Sequence, residues 1–446
     1  MSYKARIKKL KDRLQANKLA TRIIQNSRWL VVDKLFTMVI GVFVTAIVAR
    51  YFGPERYGQY NYALSFVTLF TAFSTLGLET LSVKAIVDEN YDEGTILCTS
   101  LVMRVIGGSI LTIVAIIIIN IIDADDRNLH IIVFILSITM VFKAIEVIEY
   151  WIQAHHKAKI SSIIRMISYI IMVVMKIVLV LLGGTLIHFS LIYMVNAIII
   201  GIGLFIAYSR NREVNIKWRI DFKYAKSVLS QSWYLVLAGL MGTLYMKIDK
   251  VMLGSLMGTT LEVGMYSAAT SIAEMWYFVP LAIITSFRPI IMNNKSISKL
   301  KYEKSVLVQY TIITWLSIAF GFFMLIFSDL IIDLLYGQDY YKAAKILSIS
   351  VWAGIFAMIG SASSTWLITE RLHKYKTIFV FSGAVVNIAL NLFLIPRFGG
   401  YGAAIATLAS QFIANIFTPL FFTKMRPNII MIFKAVSLYI LRKNKK

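Results

Sequence analysis

Three kinds of residue are scarce in this 446-residue chain, and their scarcity excludes familiar classes of protein. Cys98 is the only cysteine, so no intrachain disulfide framework can form. Charged residues make up 15% of the chain, against about 25% in soluble domains. Only six prolines are present, so most helices should be free of the kinks that proline introduces. A disulfide scaffold and an ordinary soluble domain are both excluded.

Catalytic and nucleotide-binding motifs are also missing. The sequence has no His-Glu-x-x-His zinc motif, no Gly-x-Ser-x-Gly nucleophile elbow and no Gly-Lys-Ser/Thr phosphate loop. His155 and His156 are adjacent, which is a poor spacing for two ligands of one metal ion. We therefore expect no enzymatic activity, no ATP hydrolysis and no metal or organic cofactor.

Apolar residues are abundant instead, at 58% of the chain with a mean hydropathy of +0.73. They fall into twelve runs, each near the length of about 20 residues that an α-helix needs to cross a bilayer. The sequence therefore predicts an all-α integral membrane protein with 12 transmembrane helices. The predicted spans are 30–51, 59–83, 96–121, 129–152, 161–183, 187–208, 229–254, 262–287, 306–328, 345–368, 375–396 and 401–423.

The basic residues that give the formal net charge of +23 are distributed unequally between the two sides of these spans. Of the 46 lysines and arginines, 34 fall in alternate connections and in the two termini, and 6 fall in the other connections. Basic residues collect on the cytoplasmic side, so this alternation predicts cytoplasmic N and C termini. Topology thus accounts for the charge, and we expect no nucleic-acid partner.

Short sequence patterns recur in the two halves of the chain. Trp151 with His156-Lys157 parallels Trp366 with His373-Lys374, and Gly183-Gly184 parallels Gly399-Gly400. Two six-helix lobes related by an axis along the membrane normal are expected from such a repeat, as in alternating-access transporters. The predicted parts are a basic cytoplasmic segment 1–28, an N-lobe 29–208, a cytoplasmic linker 209–228, a C-lobe 229–424 and an interfacial tail 425–446. Four further repeated residues are Gly58, Tyr60, Ala63 and Ser65, which match Gly264, Tyr266, Ala269 and Ser271.

Three motifs carry a resemblance to a known family: Gly53-Pro54 with Tyr57-Gly58-x-Tyr60, then Ile248–Gly254 with Gly264-x-Tyr266, then Leu335-Tyr336-Gly337-x-x-Tyr340. In order and spacing they resemble the polysaccharide-transport (Wzx-type O-antigen and teichoic-acid) flippases of the multidrug/oligosaccharidyl-lipid/polysaccharide (MOP) exporter superfamily, which includes the multidrug and toxin extruders. The resemblance implies a MATE-like fold and a protein that moves a polyprenyl-pyrophosphate-linked sugar unit across the bacterial cytoplasmic (inner) membrane. The implied partners are that lipid-linked oligosaccharide, membrane lipids and other polysaccharide-assembly membrane proteins.

Charged side chains inside the spans are the candidate functional residues, because a charge at the bilayer centre costs at least about 2.5–3.5 kcal/mol and should face a cavity or a partner. Lysine and arginine suit an anionic diphosphate. We therefore expect a cationic central cavity, with Lys176 as its best single anion ligand because no carboxylate lies nearby in its own helix. The candidate cavity cations are Arg104, Lys143, Lys176, Lys247 and Lys250.

Carboxylates inside or near the ends of spans are candidates for ion coupling or for structural ion pairs. Lys143, Glu146 and Glu149 fall on one helix face and could pair with one another. Glu274 lies near the middle of its span, where it could act as a protonation switch or pair with a lysine. H⁺ or Na⁺ is the expected coupling ion. The candidate carboxylates are Asp33, Glu79, Glu146, Glu149, Asp249 and Glu274.

Two other functions stay open from the sequence. A multidrug antiporter of the same fold is one, although its cavity should be acidic and aromatic to suit cationic cargo. A membrane polysaccharide polymerase or ligase is the other, but such an enzyme would need a sizeable outer loop. The longest predicted outer connection, about 329–344, is short.

Overall fold

The computed structural model describes residues 3–212 and 216–437, with side chains described from Phe36 onward except at Val39 and Ala238. This part of the chain is helical and contains no β-strand. Short 3₁₀ turns lie at Lys143–Val147, Gln338–Tyr340 and Thr423–Met425, and a π turn lies at Ile413–Phe417. The α-helices are α1 (Tyr3–Ser74), α2 (Leu78–Val87), α3 (Glu93–Ile122), α4 (Arg127–Phe142), α5 (Ile148–Ala154), α6 (Ala158–Leu181), α7 (Leu186–Asn211), α8 (Phe222–Met257), α9 (Leu261–Met275), α10 (Phe278–Ile297), α11 (Lys299–Tyr336), α12 (Tyr341–Thr369), α13 (Lys374–Phe398), α14 (Gly400–Phe412), α15 (Thr418–Leu420) and α16 (Arg426–Val436).

Ten helical segments of the described residues are long and apolar enough to cross a membrane. One of them, Phe36–Val87, is 52 residues long and covers the first predicted span from residue 36 onward and the whole of the second. Its backbone leaves helical geometry at Gly53 (φ 72°, ψ 169°), directly before Pro54, which is suited to the first turn of a new helix. Helix α8 has 36 residues but is not among the ten, because Lys247, Asp249 and Lys250 interrupt its apolar run. The protein is therefore an all-helical, multi-pass membrane protein.

The turns of the first half recur in the second half. Gly53 and Gly258 both have positive φ (72° and 63°), and so do Gly183 and Gly399 (75° and 54°). The second predicted span breaks between Ser74 and Leu78, and its counterpart breaks between Met275 and Phe278. The two halves thus place glycines of positive φ at matching turns, although the ψ angles of Gly53 (169°) and Gly258 (6°) differ.

One of the sequence matches shifts by two residues. His156, five residues after Trp151, has φ 54°, and the residue with the same conformation five after Trp366 is Arg371 (φ 58°). The flanking hydrogen bonds agree, since Lys157 N bonds Ile152 O and Leu372 N bonds Leu367 O. His156 therefore corresponds to Arg371, and the sequence match of His156 to His373 is wrong. The two halves align through this shared Schellman-type turn and not through the similar His-Lys residue types.

The buried core is shared at one end of the molecule and divided at the other. One cluster joins both halves and includes Tyr57 and Tyr62 from α1 with Tyr266 and Tyr336 from the second half. Two further clusters stand apart. One, around Trp151, belongs to α2–α8, and the other, around Trp366, belongs to α10–α16. We call these ends the shared end and the split end.

At the shared end the two halves meet through backbone. A Cβ on Gly58 would lie 1.8 Å from the Thr260 carbonyl oxygen, and a Cβ on Gly264 would lie 1.8 Å from the Pro54 carbonyl oxygen. Only glycine permits this approach at either position. Arg50 adds a side-chain contact, since its Nη2 donates to the Leu334 carbonyl oxygen at 2.7 Å and so caps the end of α11. The repeated glycines thus form the junction between the halves.

Several helix ends differ from the sequence predictions. Helix α11 continues through Asp329 and Asp333 to Tyr336, so the outer connection predicted at 329–344 shrinks to residues 337–340. Helices α7 and α8 extend into the predicted linker 209–228 from both sides, to Asn211 and from Phe222. In the predicted tail, α16 packs on α11, where the Tyr310 hydroxyl donates to Asn428 Oδ1 at 2.5 Å. The side chains of segment 1–28 and residues 438–446 lie outside the described residues.

Candidate functional site

A polar cavity of about 370 Å³ lies towards the split end and is lined by the first half except for Leu235 of α8. We call it the N-half cavity. It brings together Arg104 with three of the predicted carboxylates, Glu79, Glu146 and Glu149. None of the candidate lysines lines it. The other lining residues are Thr75, Gly77, Leu78, Thr80, Tyr150, Gln153, Arg165 and Leu235.

Irregular backbone borders this cavity on two sides. Between α1 and α2, Leu76 and Gly77 both have positive φ, 53° and 60°, which is rare for a leucine. Between α4 and α5, Lys143–Val147 forms a 3₁₀ turn in mid-span. Non-helical backbone inside a membrane is tolerated where it is buried in protein or lines a water-filled cavity. Both interruptions therefore fit a solvated cavity.

The charges of the N-half cavity are only partly compensated. Glu149 Oε1 accepts from Arg165 Nη2 at 2.7 Å and from the Ser161 hydroxyl at 2.6 Å. Glu79 accepts from Gln153 Nε2 at 2.7 Å. The two remaining charged residues, Arg104 and Glu146, are not paired with another charge in this way among the described side chains.

Arg104 and Glu146 both line the cavity, and each keeps hydrogen-bonding capacity that no described residue uses. Arg104 is 6% exposed, and its Nε has no hydrogen-bond partner among the described residues, although the Tyr150 side chain lies within reach of the guanidinium. Glu146 forms no hydrogen bond or ion pair with any residue whose side chain the structure describes. An unpaired buried guanidinium nitrogen is costly, so this cavity is suited to a polar ligand or to water.

A second polar cluster lies within the second half, centred on Asp249. The carboxylate accepts from the Tyr266 hydroxyl at 2.6 Å, from Asn391 Nδ2 at 2.6 Å and from the Thr407 hydroxyl at 2.5 Å. Asn391 also donates to Asn387 Oδ1 at 3.2 Å. Asp249 is 3% exposed, and Asn391 Oδ1 has no partner among the described residues. Four helices, α8, α9, α13 and α14, supply this cluster.

The candidate lysines are spread over both halves. Lys143 Nζ donates to the Tyr193 hydroxyl at 3.1 Å and does not pair with Glu146. Lys250 is buried next to Lys247 and Asp249 on α8 and lies close to Glu274. Lys176 on α6 is partly exposed and has no hydrogen bond or ion pair among the described side chains.

The predicted pairing along one helix face is therefore replaced by contacts between helices. Lys143 bonds Tyr193 of α7, and Glu149 bonds Arg165 of α6. The 3₁₀ turn keeps Lys143 and Glu146 on one face, because residues three apart eclipse in a 3₁₀ helix, but the Lys143 ammonium bonds the Tyr193 hydroxyl of the neighbouring helix and not Glu146. The side chain of Asp33 lies outside the described residues.

Several residues of the N-half cavity and of the polar cluster around Asp249 were not predicted from the sequence. Arg165 lies near the start of the predicted span 161–183 and contributed only to the count of basic residues on the cytoplasmic side. Asn387 and Asn391 stand four residues apart in an otherwise apolar helix, a spacing that places both on one face. That pattern was a usable signal for a buried polar site. Thr407 gave none, because threonine satisfies its own hydroxyl in many membrane helices.

Two family models match the chain. The model described as polysaccharide biosynthesis protein matches residues 23–295, and the MatE model matches residues 235–393. The capsular polysaccharide biosynthesis protein CapF of Staphylococcus aureus is 22% identical over 400 residues, which is 88% of this chain and 98% of that protein. The probable flippase AglR of Haloferax volcanii is 28% identical over 224 residues, which is 48% of this chain and 45% of that protein.

Solved structures with the same fold include two membrane transporters. Lipid II flippase MurJ in an inward closed conformation gives a TM-score of 0.71 at 15% identity, covering 95% of this chain and 93% of that chain. An inward-facing multidrug resistance MATE family transporter of the MOP superfamily gives a TM-score of 0.64 at 14% identity, covering 92% and 96%. At such identities the likeness concerns the fold.

Proposed function

Because the chain belongs to the polysaccharide biosynthesis protein family of the MOP superfamily, we propose that it is a flippase for a polyprenyl-diphosphate-linked oligosaccharide. It carries this cargo across the bacterial cytoplasmic membrane by alternating access and catalyses no chemical step. The observation that carries the proposal is the pair of like halves, which share one core at one end and have separate cores at the other. Two lobes that rock about such a junction can expose a central path to either side.

The proposed topology has twelve spans in two six-helix lobes, with both termini in the cytoplasm. Segment Phe36–Val87 supplies two spans on either side of Gly53, and α8 supplies the seventh. The basic connections lie at the split end, so the positive-inside rule makes that end cytoplasmic. The described conformation is then closed at the outer face. The lobes are 29–208 and 229–424, joined by the linker 209–228.

In this proposal the candidate lysines turn to the space between the lobes and bind the diphosphate there. Lys143, Lys176, Lys247 and Lys250 are the ligands, since a lysine ammonium is a point-charge ligand for phosphate. Lys176 supports this role best, because no described side chain neutralises it. Lys250 is less available, since Glu274 lies close to it.

A coupling cation, Na⁺ or H⁺, acts at Asp249 in this proposal. The surrounding groups offer the oxygen atoms that a hard cation prefers, from Tyr266, Asn387, Asn391 and Thr407. The unpartnered Oδ1 of Asn391 supports the fit, because turning that amide over would point an oxygen at the carboxylate. Asp249 is a single carboxylate among neutral partners, and one negative charge balances a monovalent cation better than a divalent metal.

Deleting the gene in its host tests the proposed cargo. Cells without the protein should accumulate a lipid-linked sugar, identifiable by mass spectrometry of the lipid extract, and the intact gene should restore its normal level. Surface polysaccharide that is made normally, with no lipid-linked sugar accumulating, would contradict the proposal.

A multidrug antiporter is the second candidate, favoured by the MatE match over residues 235–393 and by the excess of carboxylates in the N-half cavity. It predicts that the deletion sensitises cells to cationic dyes such as ethidium without any accumulated lipid-linked sugar.

A further inference from the structure

The N-half cavity has a composition that fits sugars better than phosphates. Its ionisable lining residues are three carboxylates, Glu79, Glu146 and Glu149, and two guanidiniums, Arg104 and Arg165. Arg165 is already bound to Glu149 at 2.7 Å. Two carboxylates are thus left opposite Arg104, and a diphosphate placed there would meet net repulsion. The cavity therefore does not provide an anion site.

Hydroxyl groups suit the same lining well, because each sugar hydroxyl both donates and accepts. The Glu146 carboxylate can accept from a hydroxyl, and the guanidinium of Arg104, which lines the same cavity, can donate to one. The Gln153 amide and the Thr80 hydroxyl also line the cavity. The volume of about 370 Å³ lies within the range of roughly 300–1,000 Å³ that is typical of small-molecule sites.

The position of the cavity also suits the binding of cargo from the cytoplasm, which is the first step of the proposed transport cycle. It lies at the split end, where the two halves have separate cores, and Leu235 of α8 closes one side of it. Gly77, which follows the strained backbone of Leu76, lines another side. Strained residues and mid-span breaks of this kind cluster at ligand sites.

We infer that the N-half cavity binds a hydroxyl-bearing sugar ring of the lipid-linked cargo, at a subsite separate from the lysines that bind the diphosphate. This inference rests on the proposed flippase function and deepens it. Glu146 and Arg104 are the specificity-determining residues of this subsite, which gives Arg104 a different role from the diphosphate ligand that the sequence alone suggests.

Binding to the purified full-length protein in lipid nanodiscs tests the inference with two probes. One probe is the sugar-linked polyprenyl diphosphate extracted from cells that lack the gene, and the other is polyprenyl diphosphate without sugar. Wild-type protein should bind the sugar-bearing lipid at least about tenfold more tightly, since hydrogen bonds to charged groups contribute about 1.5–3 kcal/mol.

The variant Glu146→Gln should weaken binding of the sugar-bearing lipid about tenfold and leave binding of the bare lipid unchanged. Glu146 has no protein partner among the described side chains, so its isosteric amide should not disturb folding. Thr80→Val is a second, milder variant with the same expected selectivity. Glu303→Gln removes a carboxylate from the exposed start of α11 and should change neither affinity.

The alternatives give distinct results. If Glu146→Gln and Thr80→Val weaken both lipids equally, or weaken neither, the sugar subsite is wrong while the flippase proposal stands. If the wild type binds neither lipid, the proposed function fails and the subsite fails with it. Lys176→Gln separates the two sites, because it should weaken both lipids by a similar factor.

Discussion

At the scale of single residues, the sequence indicated which side chains are unusual but not what they touch. Asp249 stood out as a carboxylate inside an apolar run. Its three hydrogen-bond donors lie 17, 142 and 158 residues away along the chain, so only the packing of four helices brings them together. In the same way, Glu149 meets Arg165 through a contact between helices that no spacing rule describes. Buried charge can be predicted from one sequence, whereas its partner across helices cannot.

Replacing Asp249 by asparagine should uncouple transport. Asp249→Asn keeps the size of the side chain but removes the charge that would hold a coupling cation, so transport should fall at least about tenfold and lose its dependence on a Na⁺ or H⁺ gradient. Transport into proteoliposomes under each gradient measures this. Asp329→Asn removes a similar charge from an exposed site on α11 and serves as the control. Gradient-dependent transport by Asp249→Asn at the wild-type rate would disprove the role of Asp249.

Reversing the charge of Lys176 should stop export without unfolding the protein. No described side chain pairs with Lys176, so Lys176→Glu breaks no contact but repels a diphosphate. Export should drop at least about tenfold, while Lys176→Arg keeps most of it, as measured by surface polysaccharide at equal protein level. Unchanged export by Lys176→Glu would remove Lys176 from the binding site.

At the scale of helices, apolar runs located the spans but not their ends. Helix α11 continues through Asp329 and Asp333, because charged side chains at the end of a long helix can reach the membrane surface. The break between Ser74 and Leu78 has a visible signal in Gly77, whereas its counterpart between Met275 and Phe278 falls at two aromatic residues and has none. The repeat predicts a second break but not its place, because the offset of 206 residues between Gly58 and Gly264 would put that break at residues 281–283 and not at 276–277.

Adding a methyl group at Gly264 should prevent closure of the shared end. A Cβ there would lie 1.8 Å from the Pro54 carbonyl oxygen, so the backbones of the two halves must separate in Gly264→Ala. We expect transport to fall at least about tenfold. Spin labels at Arg56 and Gln338, in a Cys98→Ser background, should report a longer distance across the shared end.

The matched control for Gly264→Ala is Gly242→Ala on α8, where a Cβ would have no heavy atom within 4 Å. Both changes replace a helical glycine by alanine, so both gain about the same helix propensity. Gly242→Ala should therefore keep wild-type transport and label distances. Equal behaviour of the two variants would show that the glycine junction is not a gate.

At the scale of the whole molecule, the repeat in the sequence predicted two like halves, and the structure shows repeated turns at Gly53 and Gly258 and at Gly183 and Gly399. The sequence contained no signal for the conformational state, because a transporter must adopt inward-facing and outward-facing states with the same residues. Which end of the molecule holds the shared core depends on how the two folded halves pack on each other. Small free-energy differences between such packings are enough to shift the populations of the inward-facing and outward-facing states.

Translocation of the lipid-linked sugar by the purified protein tests the central claim most directly. The lipid extracted from cells that lack the gene is placed in one leaflet of proteoliposomes, and its arrival in the opposite leaflet is followed with a membrane-impermeant oxidant of sugar hydroxyls. The account predicts that vesicles with the wild-type protein move the lipid at least about tenfold faster than protein-free vesicles or vesicles with Gly264→Ala. Equal rates in all three kinds of vesicle would contradict it.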